Sequence, residues 1–275
     1  MTSRKARRLR IWYQSLFDAG RLPAYFSGMR RRARRLAREG VEVDFHGMAE
    51  GVYGGATPAD VVSYPYLASL HNQFILDNAL RAEAEGCDVF AIGSVQDPAL
   101  EEARSLVDIP VVGYGESAMH FACLLGGRFA FIAFGERFDE MLDLRAKRLG
   151  FADRALPTAL MDVDFVQVGA GSPVLLKKFR ESAKALIAQG AQVLIPGQLY
   201  LSEAIARAGL TRIDEVPVID GLAATLKMAE AMADLKRFGI SVTRRGYAHA
   251  RAPAPIVEHA RKVHSRQHVA RRRAR

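Results

Sequence analysis

Short apolar runs and segments of helical period alternate along this chain. "RIWYQS" (10–15) reads as a first strand, "MRRRARRLAREG" (29–40) as a helix ended by Gly40, and "VEVDFHG" (41–47) as a second strand. A Gly-rich loop carrying Thr57-Pro58 leads into a long helix over Pro65 to Glu85. "DVFAIGS" (88–94), a helix through "PALEEARSLV" (98–107) and the strand "IPVVGYG" (109–115) follow. "RFAFIAFG" (128–135) is a further strand that feeds the helix "RFDEMLDLRAKRLG" (137–150). Strands regularly separated by helices predict an α/β fold with mainly parallel sheets.

The pattern then repeats. "EGCDVFAIGS" (85–94) matches "QGAQVLIPGQ" (189–198) at an offset of 104, and "IPVVGYGESAMHFA" (109–122) matches "VPVIDGLAATLKMA" (216–229) at 107. "RFAFIAFG" resembles the opening strand. The repeat predicts two pseudo-symmetric lobes, each a small, mainly parallel sheet flanked by helices, with a ligand cleft between them. Residues 9–117 with 222–258 form the expected first lobe, 118–221 the second, and 259–275 a basic C-terminal tail, disordered or helical. The helix "GLAATLKMAEAMADL" (221–235) is expected to fold back towards the first lobe. In open α/β sheets ligands sit beyond the carboxyl ends of the strands. Ser94 and Gln198, equivalent in the repeat, therefore face each other across one cleft, on opposite sides of one small molecule.

Composition narrows the class. A chain of 275 residues, 49% apolar, suits one large or two small domains with a sizeable core. No apolar run approaches the ~18 residues of a membrane span, and the basic N-terminus lacks a signal-type apolar stretch. Cys87 and Cys123 show neither metal-type nor redox-type spacing. A cytoplasmic, reduced protein is expected.

The net charge of +9 is unevenly spread. Residues 1–38 hold 12 Lys/Arg against Asp18 alone, and 261–275 hold seven against none, which leaves −9 for 39–260. Such patches attract polyanions, but no helix-turn-helix, zinc-finger or aromatic RNA-binding signature accompanies them. A solvated helix face and a tail are the preferred reading, and nucleic acid is not the expected partner. No His/Cys/Asp/Glu cluster has metal-ligand spacing, so no metal is expected. "GYGES" lacks the G-x-S-x-G order of a nucleophile elbow, and "GVYGGA" lacks the Gly-Lys-Ser/Thr ending of a phosphate loop.

The blocks "IGSVQDPAL", "IPVVGYGESAMHFA", "GAQVLIPGQ", "VPVIDGLAATLKMAEA" and "VTRRGYAHA" resemble successive segments of the aspartate/glutamate/hydantoin racemase superfamily. The likeness runs over roughly residues 9 to 250 and is strongest to the hydantoin racemase branch, through Asp97-Pro98, Gly115-Glu116-Ser117-Ala118, Asp220-Gly221 and Gly246-Tyr247. It implies cofactor-free chemistry by two cysteines, one thiolate taking an α-proton and the opposite thiol returning one, with donors for the developing oxyanion. At the two cysteine positions this chain carries Ser94 and Gln198, and neither Cys87 nor Cys123 can be moved into register. A serine hydroxyl without an activator is too weak to abstract an α-proton, and a glutamine amide only donates and accepts hydrogen bonds. Thiol-based two-base racemisation is therefore not expected.

Other groups were weighed beside these two. Tyr13, Gln14 and Ser15, at the end of the first strand, stand where the resemblance implies a substrate contact; an ordinary polar strand end is the alternative. Val95 and Leu199 replace more polar neighbours of the relatives and point to a less polar, even aromatic, ligand. Gln96, Phe134, Gly135 and Tyr200 complete the expected substrate contacts. His46 is the candidate replacement base because its ordinary pKa lies near neutrality, with a structural role as the alternative. His71 and His120 read as structural, Tyr114 and Tyr200 as oxyanion donors or packing groups, and Glu116 as a group that caps or holds a helix start.

Three functions remain open on these residues. The first is a cofactor-independent isomerase or lyase acting on a small carbon acid, meaning an amino-acid derivative, a hydantoin-like ureide or a malonate-like carboxylate. The second is a catalytically silent ligand-binding or accessory relative. The third is a nucleic-acid binder acting through the Arg-rich helix and tail. A small carboxylate or ureide ligand and a homo-oligomer are the expected partners, and no membrane is expected.

Overall fold

The computed structural model describes residues 8–18 and 20–273, so parts of the basic N-terminal stretch and of the basic tail lie outside the described residues. Four parallel strands form the first sheet: β1 (Leu9–Asp18), β2 (Val41–Met48), β3 (Val89–Gly93) and β4 (Val111–Gly113), in the order β2-β1-β3-β4. The second sheet holds β5 (Phe129–Phe134), β6 (Ala159–Met161) and β7 (Val193–Pro196), in the order β6-β5-β7. A single parallel bridge from Leu194 to Val218 adds the fourth position to it.

The sequence repeat carries the strand register with it. Ile11 opposes Val89 in the first sheet and Phe129 opposes Val193 in the second. Phe90 opposes Val111, and Leu194 opposes Val218. The offset of 104 thus relates β3 to β7, and the offset of 107 relates β4 to the Val218 bridge. Pro217, which has no N–H to donate, precedes that bridge. A two-residue hairpin of β8 (Arg212–Ile213) and β9 (Val216–Pro217) takes up the chain there.

Period-2 alternation sorts the side chains into three layers. Ile11, Tyr13, Val89 and Ala91 from the first sheet and Phe129, Phe131, Val193 and Ile195 from the second face inward onto one central core. That core is filled by α1 (Pro23–Leu36), α5 (Tyr114–Leu125) and α10 (Gly221–Arg237). Helix α5 leaves the first sheet and lies against β7, while α10 leaves the second and lies against β3, so each lobe lends a helix to the other. On the outside, α3 (Pro65–Ala84) and α4 (Leu100–Leu106) cover Trp12, Phe90 and Ile92. The outer face of the second sheet is covered by α8 (Pro173–Ala188) and α9 (Leu199–Arg207). The remaining helices are α2 (Pro58–Val62), α6 (Phe138–Arg148), α7 (Phe165–Ala170) and α11 (Ala254–Arg273).

The Arg-rich helix α1 is more than the solvated face its composition suggests. Arg32 bridges Glu203 on α9 and Asp220 at the start of α10. Arg38 holds Asp234 with two terminal nitrogens at 2.5 and 2.6 Å. The Tyr114 hydroxyl adds a tie between the lobes by donating to the Pro196 carbonyl at 2.5 Å. No helix among the described residues is long and apolar enough to cross a membrane.

Candidate functional site

The carboxyl ends of β3 and β7 open into a cleft between the lobes. Ser94 follows β3 directly. Gln198 follows β7 after Gly197 and is the N-cap of α9. Both side chains line the cleft, with Val95, Gln96, Phe134, Leu199 and Tyr200, all seven singled out from the sequence. Leu16, Phe17, Phe138 and Phe165 also line it and were not anticipated. Phe17 belongs to β1, which runs to Asp18 and not only to Ser15. Phe165 opens α7, whose start is signalled in the sequence by a capping box, Asp164 with Gln167. Phe165 stacks on Tyr200 with ring centroids 4.3 Å apart, and Phe17 lies 5.3 Å from the same ring. One wall of the cleft is therefore aromatic.

The polar groups are few and their hydrogen bonds define what is left over. Gln198 Nε2 donates to the Phe134 carbonyl at 2.5 Å, and since a carbonyl only accepts, this fixes the orientation of the amide. Gln198 Oε1 is then buried with no partner among the described residues. The Ser94 hydroxyl donates to Gln96 Oε1, which leaves the Ser94 oxygen as an acceptor. No side chain caps α9, so its first-turn amides, at Leu199 and Tyr200, are available to an acceptor. The cleft thus offers acceptors from both strand ends and donors from one helix start, inside an apolar wall. Tyr200 is the one titratable side chain among the described lining residues, and burial pushes its phenol up.

Asp97 holds the Ser94 loop in place. Its carboxylate accepts from the Gly115 and Glu116 amides at 2.8 and 2.7 Å, capping α5, and faces Arg145 at 3.3 Å. The loop lies so close to α5 that a Cβ on Gly115 would collide with the Val95 carbonyl, and one on Gly113 with Asp97 itself. Asp97 and Ala99 take positive φ, +49° and +58°, so α4 begins at Leu100 and not at Pro98. Glu116, expected to cap or hold the start of α5, stands in the first turn of that helix and pairs with Arg104 on α4.

Burial pushes Asp97 up to about 7, against the pull of Arg145 and the two amides. Between the ordinary carboxylate range and pH 7 the folded chain keeps a proton that the unfolded chain has released. This contribution to stability is therefore full at acid pH and is lost as pH rises to 7. Thermal unfolding between pH 5 and 8 is expected to fall less steeply with pH in Asp97→Asn than in wild type. Equal slopes would take Asp97 out of that role.

The other sequence candidates lie elsewhere. Tyr13 faces the central core under Gly93, where a Cβ would collide with its ring. Gln14 is buried on the outer face, accepts from Trp12 Nε1 and Asn78 Nδ2 at 3.2 and 2.9 Å, and donates to the Ser15 carbonyl at 2.9 Å. Ser15 Oγ accepts from the Phe17 amide at 3.1 Å. Gly135 makes a positive-φ turn after β5 and does not line the cleft. His46 sits inside β2, not at its end, with its ring stacked on Trp12 at 3.4 Å. Burial pushes its pKa down, and it lines a groove beside α1, away from the cleft. Cys87 is buried before β3, Cys123 is half-buried on α5, and neither lines the cleft. Among the described residues no group of three or more His, Cys, Asp or Glu side chains is placed to hold a metal ion.

Two parallel-sheet lobes sharing a cleft between equivalent strand ends define a racemase-type α/β architecture. Residues 23–229 match the Asp/Glu/hydantoin racemase family, and the chain belongs to it. The hydantoin racemase of Pseudomonas sp. (strain NS671) is 31% identical over 181 residues, 65% of this chain and 71% of that one. That of Rhizobium meliloti is 33% identical over 159 residues, 55% and 63% of the two chains. Among solved structures, allantoin racemase from Klebsiella pneumoniae superposes with a TM-score of 0.72 at 24% identity, covering 88% of this chain and 93% of the other. Allantoin racemase from Pseudomonas fluorescens gives 0.68 at 21% identity, covering 89% and 98%. These likenesses establish the fold.

Proposed function

We propose that the cleft binds a small neutral ureide or cyclic amide with an apolar, flat substituent, and that the protein acts as a ligand-binding relative of the racemases without two-base racemisation. The observation that carries this is the unpartnered, buried Oε1 of Gln198, a residue that lines the cleft. A buried acceptor left unpaired is costly, and a ligand N–H satisfies it. Ser94 Oγ, its proton given to Gln96, is a second acceptor across the cleft. The α9 amides suit the carbonyl of the same –NH–CO– unit. A carboxylate would meet these amides but also two facing acceptors, and no Lys, Arg or His is among the described lining residues. The substituent rests on Phe17, Phe165 and Tyr200.

Family membership favours a second reading, a cofactor-independent isomerase or lyase acting on a carbon acid in this cleft. It requires a base, and Tyr200, whose phenol is pushed up by burial, is poorly matched to proton abstraction near neutrality.

Calorimetric titration with a 5-benzyl hydantoin and with benzylmalonate tests the binding claim. The hydantoin is expected to bind, and the malonate to bind at least about tenfold more weakly. Gln198→Leu, which removes the acceptor together with the donor to the Phe134 carbonyl, is expected to cost at least about tenfold in hydantoin affinity. Tighter binding of the malonate, or an unchanged Gln198→Leu, would refute the assignment.

A further inference from the structure

Tyr200 lines the cleft and also a second concavity. Three arginines border it from separate elements: Arg21 in the turn before α1, Arg31 on α1, and Arg207 in the last turn of α9. All three are exposed. Arg207 donates to the Gly169 carbonyl at 3.1 Å and Arg21 to the Ala56 carbonyl at 3.4 Å. A guanidinium carries five N–H donors, so most of theirs are uncommitted, and Arg31 has no partner among the described contacts. Glu203 is the one acid among the described lining residues, and Arg32 already holds it.

Three cations therefore share a concavity whose one carboxylate is engaged elsewhere. Two of the three, Arg21 and Arg31, belong to the basic segment 1–38, and Arg207 joins them from residues 39–260, which carry a net −9. The start of α1 adds to the field. Leu22 at its N-cap supplies no side-chain acceptor, and the positive end of a 14-residue helix lies at the rim. Arginine forks recognise phosphate and carboxylate groups by paired hydrogen bonds.

The geometry points to a binding subsite for a small, multiply charged oxyanion, a phosphorylated or polycarboxylate compound, in the concavity bordered by Arg21, Arg31 and Arg207. This subsite does not depend on what the cleft itself binds.

The full-length protein is titrated by calorimetry with inorganic pyrophosphate and, separately, with citrate. Saturable one-site binding is expected for at least one of them, and the preferred probe tells a phosphoryl ligand from a polycarboxylate. Arg31→Ala and Arg207→Ala are each expected to weaken it at least tenfold. Arg148→Ala, an exposed arginine on α6 outside the concavity, is expected to leave it unchanged. Arg31 is exposed and unpartnered, so its variant reads binding without a folding defect, which matching melting temperatures check. If neither probe saturates, or if Arg148→Ala weakens binding as much as Arg207→Ala, the subsite is refuted.

Discussion

Placing cysteines at both strand ends, Ser94→Cys with Gln198→Cys, is expected to start α-proton exchange on a 5-substituted hydantoin that the wild-type protein is expected to bind without exchange. Ser94 and Gln198 line one cleft from opposite lobes, so a thiol on each addresses a different face of a flat intermediate. Position 198 is the N-cap of α9, and a helix N-terminus lowers a thiol pKa. A positioned acid–base group is worth about 10²- to 10⁴-fold, so the double variant is expected to exceed background by at least about 10²-fold. Each single variant should fall well short in racemisation, which needs a thiol on each face, although one thiol can still exchange the α-proton of the enantiomer that presents it to that thiol. A double variant that binds the hydantoin and exchanges nothing would show that the two strand ends do not bracket the reacting carbon.

Asp97→Ala is expected to cost about 3 kcal/mol of stability, because it strands two amide donors at the start of α5 and removes a buried partner of Arg145. For a chain of this size that is a fall in Tm of about 5 °C. Gly113 and Gly115 pack directly under the Ser94 loop, so ligand affinity should fall with it. Asp97→Asn keeps one acceptor and should cost less. A loss below about 1 kcal/mol in Asp97→Ala would mean that other contacts hold the loop.

The repeat was legible in the sequence because it is written in local pattern. β3 and β7 share their apolar strand and the Gly before or at its end, and the offset of 104 fixed both strand ends and their register. Ser94 and Gln198 followed from that, and the family resemblance added Val95, Gln96, Phe134, Leu199 and Tyr200 to the lining. What stayed hidden depended on distance. His46 is a candidate base from its ordinary pKa and its position by the Gly-rich loop, but the side-chain alternation of β2 turns its ring against Trp12 on the outer sheet face. Gln14 is lost to the cleft in the same way, held on the outer face by Trp12 and Asn78. Phe165 comes from a short helix whose capping box was readable but whose destination was not. The role of Asp97 depends on amides 18 and 19 residues away, and that of Arg32 on carboxylates beyond residue 200. Composition cannot tell such a cap or bridge from a solvated charge.

The central claim is that this cleft binds a ureide between Ser94 and Gln198 without moving its α-proton. Proton NMR in D2O, following the α-proton of a single enantiomer of 5-benzyl hydantoin with wild-type protein in excess of the dissociation constant, tests it most directly. The account predicts ligand line-broadening that Gln198→Leu reduces, with the α-proton signal decaying no faster than in buffer. Decay well above the buffer rate, abolished by Ser94→Ala or Gln198→Leu, would contradict it and make the protein an isomerase by another acid–base pair.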